Sequence, residues 1–117
     1  VAGASLAAAL VDFDDMVTGP CVQDLWLIVP GRDHYALEQR RVLLAAYEDF
    51  RELDRSSLKL IEPLRALRYI HFSAWITKRW NDPAFKRTFD QFGTSRYWEE
   101  QVRDLEEQLA IIAEQAD

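Results

Sequence analysis

The sequence predicts a mainly α-helical domain, with one short N-terminal strand followed by four or five helices. Apolar residues recur at helical spacing along most of the chain beyond residue 20. Turn-forming Pro, Gly, Asn and Asp residues cut that pattern into helix-length pieces. One piece, LRALRYIHFSAWITKRW, is apolar nearly all round, which marks a helix at the centre of a core.

Ala7–Phe13 is the predicted strand, a short apolar run closed by an acidic loop and the breaker Thr18-Gly19-Pro20. Gln23–Val29 follows as a short helix stopped by Pro30-Gly31. Leu37–Leu53 carries a helical period, with Leu37, Val42, Leu44, Ala45, Tyr47 and Phe50 as expected buried positions. Ser56 or Ser57 is expected to cap the next helix by accepting a backbone N–H. Leu58–Trp80 is the longest helical stretch, and Pro63 should divide it into a short helix and a long one. Asn81-Asp82-Pro83 ends it, and Phe85, Phe89 and Phe92 form an aromatic connector. Thr94–Ala116 is a final amphipathic helix with Trp98, Val102, Leu105, Leu109 and Ile112 on one stripe.

Composition narrows the function. At 117 residues, 49% of them hydrophobic and with four Trp, the chain can build one core-forming domain. A net charge of −6 lacks the basic face that a general nucleic-acid binder needs. Cys21 is the single cysteine, which excludes a disulfide framework and points to the reducing cytoplasm. No apolar stretch reaches the roughly 20 residues of a membrane span. VAGASLAAALV has the small residues of a signal peptide but no basic leading region.

Asp12, Asp14 and Asp15 crowd the end of the predicted strand. Carboxylates about 4 Å apart repel by about 1 kcal/mol in water and about 4 at an effective dielectric of 20. Such a cluster is kept when it is solvated, paired with Arg or holding a cation. Alternation along a strand sends Asp12 and Asp14 to the same side, which suits Mg²⁺. A solvated acidic turn with an Asp capping the next helix is the other reading. An EF-hand loop fails, because Val17 and Gln23 stand where Gly and Glu are required. The Asp-x-Asp nucleophile motif of haloacid-dehalogenase-type phosphatases also fails, since Phe13-Asp14-Asp15-Met16-Val17 supplies no Gly or Thr.

Protein kinases place D-F-G after a strand, its Asp holding the Mg²⁺ on the ATP phosphates. The chain has D-F-D at Asp12–Asp14. With VDFDD, GPCVQDLW at Gly19–Trp26, AYEDFREL at Ala46–Leu53 and IEPLRALRYIHFSAWITKRWNDPAF at Ile61–Phe85, it resembles the aminoglycoside-phosphotransferase-like kinases. Within them it resembles the bacterial stress response kinase A group, nearly continuously from Leu10 to Phe92. The resemblance implies the helical C-terminal lobe of a protein-kinase-like (α+β) fold. Residues 1–117 would be a single domain, with a strand and metal-binding loop over 1–20 and a helical subdomain over 21–117. It implies a transferase dependent on ATP and Mg²⁺, acting on a hydroxyl-bearing acceptor, either protein Ser/Thr or a small molecule. Asp12 would bind the metal, and Asp14 would reach a second ion or its water. Asp24 matches an aspartate that supports the loop after the metal site, with a helix cap as the alternative.

Arg65 and Arg68 lie three apart on the long helix, where their charges need partners. Pairing with Asp24 or Glu62, or contact with substrate near the metal cleft, are the two readings. His71 is expected to be a core residue, and Trp75, Trp80 and Trp98 are expected core or pocket-lining aromatics. The family's catalytic loop, H-G-D-x-H-x-x-N, would lie about a dozen residues before Asp12, and VAGASLAAAL contains none of it. No catalytic residue is therefore assigned, and the chain is expected to be a lobe fragment that transfers no phosphate by itself. The rival expectation is a non-catalytic helical module that self-associates through a bare apolar surface.

Overall fold

The structure is a computed structural model that describes residues 8–9 and 16–116. Among the described residues every regular element is helical: α1 (Val22–Ile28), α2 (His34–Glu48), a 3-10 turn over Arg55–Leu60, α3 (Ile61–Lys78), α4 (Pro83–Thr88) and α5 (Ser95–Ala116). Apart from Ala8 and Ala9, which have no regular structure, the predicted strand lies outside the described residues, as do Asp12, Asp14 and Asp15.

Short polar side chains set most of the boundaries. The Asp33 carboxylate accepts from the Ala36 N–H at 2.9 Å, so α2 begins three residues before Leu37. It also ends at Glu48, short of the expected Leu53. Asp54, not Ser56 or Ser57, caps the 3-10 turn by accepting from the Ser56 N–H at 3.0 Å. Pro63 falls in the first turn of α3, where its missing N–H costs nothing. Asp82 accepts from the Ala84 N–H at 2.9 Å and Pro83 opens α4, so the expected connector contains a helical turn. Gly93, at φ 82°, turns the chain into α5, and the Thr94 hydroxyl accepts from the Tyr97 N–H at 3.2 Å.

The core is built around α1. Val22 and Trp26 pack on Ile61 at the start of α3, with Leu27, Leu58 and Leu64 around them. Leu25 packs against Leu44 of α2 and Leu53, with Leu43 and Tyr47 around them. The α2 stripe is therefore narrower than predicted: Leu44 is buried, but Leu37, Val42, Ala45 and Phe50 are exposed. Among the described residues α2 meets α1 through this cluster, and Glu48 at its end pairs with Arg55 of the 3-10 turn.

α3 and α5 run antiparallel. Gln108 bonds to Glu62, Gln101 to the Tyr69 carbonyl at 3.1 Å, and Tyr97 to the Ser73 hydroxyl at 2.6 Å, so numbers rise on one helix as they fall on the other. On one side of α3, Phe72 and Trp75 meet Phe85 of α4 and Phe89 just beyond it, at ring separations of 5.1–6.4 Å. Arg79 lies 4.8 Å above the Trp75 ring. Among the described residues the opposite side of α3 carries no element, and Leu67 and Ile70 are exposed there, contrary to the all-round burial expected. His71 is likewise exposed. Trp98, Val102 and Leu109 of the α5 stripe are also exposed, because α5 turns Tyr97, Gln101 and Gln108 towards α3 instead.

Candidate functional site: a buried carboxylate junction

Glu62 is the charged group most deeply enclosed among the described residues, with only 5% of its surface exposed. It stands one residue inside α3, where its charge suits the helix dipole. Burial of a carboxylate disfavours ionisation, and three donors overcome it here. Arg32, from the link between α1 and α2, reaches it through Nε at 3.2 and 3.3 Å and through Nη2 at 2.9 Å. Gln108 of α5 donates at 2.6 Å and also bonds to the Glu62 backbone carbonyl at 2.8 Å. Arg65, one turn along α3, donates through Nε at 3.1 Å. Against the burial that raises it, these bonds hold the Glu62 carboxyl at a pKa of about 2. The Arg32 guanidinium is in turn raised, chiefly by its bond to Glu62. Arg32 also donates to the side-chain amide oxygen Oε1 of Gln108, which closes the ring of contacts.

The Arg65 guanidinium lies 5.0 Å above the Trp26 ring, a cation–π contact that ties α1 into the junction. Arg65 Nη2 is buried without a hydrogen-bond partner. The ring beneath it offers its π face in place of an oxygen. The junction thus clamps α1, α3, α5 and the Arg32 link together. Its carboxylate is fully engaged with protein donors, and that chemistry is structural.

The residues singled out in the sequence have separate placements. Arg65 pairs with Glu62, and Arg68 is exposed and forms no ion pair among the described residues. Asp24 is exposed in the first turn of α1 and does not cap it, because the cap position belongs to Cys21, whose side chain makes no capping bond. Asp12 and Asp14 lie outside the described residues. Among the described residues no three His, Cys, Asp or Glu side chains gather as metal ligands. No described helix is long and apolar enough to cross a membrane.

Sequence reasoning missed Arg32 and Gln108. The available signal was Gln101 and Gln108, seven apart and therefore on one face of α5, beside a stripe otherwise apolar.

Stress response kinase A of Escherichia coli (strain K12) is 40% identical to the chain over 104 residues, 89% of the chain. The same protein of Salmonella typhi, and the serine/threonine protein kinase RdoA of Salmonella typhimurium, are each 39% identical over the same length. Over most of its length the chain is homologous to stress response kinase A. It spans 32% of the length of those relatives. No protein-family model matches the chain, and no solved structure matches it.

Proposed function

We propose that the chain is part of the helical C-terminal lobe of a phosphotransferase dependent on ATP and Mg²⁺, of the stress response kinase A type. What carries this reading is the identity of about two residues in five with relatives named as kinases, over 104 residues, 89% of the chain. In this reading Asp12 and Asp14 hold the metal at the nucleotide phosphates. Two carboxylates are a donor set that suits Mg²⁺, which keeps its other positions for water and phosphate oxygens. The ion would neutralise charge on the phosphates when bound. The helical lobe's part is to hold that loop in place. α1 starts just beyond the acidic segment, and Trp26, Arg65 and Glu62 secure α1 to α3.

The acceptor carries a hydroxyl, on a protein Ser/Thr or on a small molecule, and the parent acts in the cytoplasm. The 117 residues alone transfer no phosphate, since neither histidine of the chain stands in an H-G-D sequence. The test is Mg²⁺-dependent ATP turnover by the chain extended upstream in its reading frame, beside the same protein with Asp12→Asn. Turnover is expected in the extended chain, with a loss of at least about a hundredfold in the mutant and an unchanged circular dichroism spectrum. An inert extended chain, or an active Asp12→Asn protein, would sink the reading.

A further inference from the structure

The two longest helices leave one apolar side uncovered by any other described element, and their geometry places those exposed residues together. The bonds Glu62–Gln108, Tyr69–Gln101 and Ser73–Tyr97 define the line along which α3 and α5 touch. At 100° per residue, Ala66, Ile70 and Ala74 lie about 40–120° round α3 from that line, with Leu67 just beyond. Trp98, Val102 and Leu109 lie about 80–120° round α5 from it, in the same sense of rotation. Both helices are right-handed and they run antiparallel, so the two displacements fall on the same side of the pair. The opposite side of α3 is the one that α1 and the α4 aromatics cover.

The result is a continuous bare face. Leu67 is 61% exposed, Ile70 53%, Trp98 45%, Val102 54% and Leu109 66%. These five side chains present on the order of 500 Å² of surface, and Ala66, Ala74, Ala113, Leu105 and Ile112 extend it towards the roughly 800 Å² that each partner buries in a stable dimer. Along α5 the apolar stripe, exposed at 98, 102 and 109 and half-buried at 105 and 112, follows the 3-4 alternation of a coiled-coil seam. A helical hairpin with one apolar face and one such seam is half of a four-helix bundle.

We propose that a second copy of this chain covers the face. Two α3/α5 pairs then meet about a two-fold axis as an antiparallel four-helix bundle, with Ile70 and Val102 near its centre. The inference concerns the 117-residue chain itself and does not rest on the kinase reading.

The test is sedimentation equilibrium of the reduced chain from roughly 1 to 200 µM. A monomer–dimer equilibrium within that range is expected. Ile70→Glu and Val102→Glu, both at exposed positions, should give monomer throughout with unchanged helicity. Val42→Glu, on the exposed side of α2, should leave the dimer intact. A monomer at the highest concentration overturns the proposal. So does a dimer that survives both α3/α5 substitutions, or association that continues past the dimer.

Discussion

Glu62→Gln tests whether the carboxylate junction holds the helices together. The substitution keeps the shape of the side chain but removes the charge that Arg32 and Arg65 share. Arg65 is buried, so its guanidinium is left with no anion, and breaking one half of a buried pair costs about 3–5 kcal/mol when nothing relaxes. The lowered pKa expresses the same bonds. Moving from the ordinary 4.5 to about 2 is a preference for the ionised form worth about 3 kcal/mol. The amide can still accept one bond, so a net loss of about 2–3 kcal/mol is expected, which for a domain of this size lowers Tm by about 10 °C.

The pH dependence carries the sign. The folded-state pKa lies below the unfolded one, so the stabilisation is complete above pH 4.5 and disappears as the pH falls towards 2. Urea unfolding of both proteins at pH 7 and through pH 5 to 2 measures this. The gap between them should close across that window. Asp54, also held below its usual range by its bonds to Ser56, titrates in both proteins and cancels in the difference. A loss at pH 7 under about 0.5 kcal/mol, or a gap that stays constant down to pH 2, would refute the reasoning.

Two further outcomes follow from the packing. Gln108→Leu removes the amide that bonds to both the Glu62 carbonyl and its carboxylate, and should cost about 1–3 kcal/mol by urea unfolding even though it adds apolar surface. Equal or greater stability would mean that the buried amide does not hold α5 on α3. A Cβ at Gly31 would come within 2.7 Å of the Ala36 Cβ, so Gly31→Ala should destabilise by about 1 kcal/mol or more, and Ala36→Gly in the same chain should recover part of the loss.

Much of the secondary structure was legible because it is locally encoded. Pro30-Gly31 and Asp82-Pro83 interrupt helices whatever surrounds them, and α1, α3 and α5 stand within a few residues of their predicted bounds. Errors arose where two local signals competed. Asp33 captures the Ala36 N–H and starts α2 early, and Asp54 takes the cap that either neighbouring serine could have held. Arg65 carried its signal in its own pattern, a charge on an apolar helix that requires a partner nearby. Arg32 and Gln108 did not, since they meet Glu62 across 30 and 46 residues of chain.

By itself, the sequence determined that this is a helical chain, where its helices break, and that its acidic segment and long central helix resemble those of a kinase lobe. These properties rest on backbone sterics, capping and residue pattern, all of which act within a few residues. Only the tertiary structure decided which apolar stripe is buried. Leu67, Ile70, Val102 and Leu109 are as hydrophobic as Ile61 and Ile76, yet they are exposed while those two are buried. The hydrophobic effect rewards burial without specifying a partner, so the choice of face falls to directional contacts. Here the Glu62–Arg32–Gln108 junction and the Ser73–Tyr97 bond set the rotation of α5 on α3, and thereby the side left open.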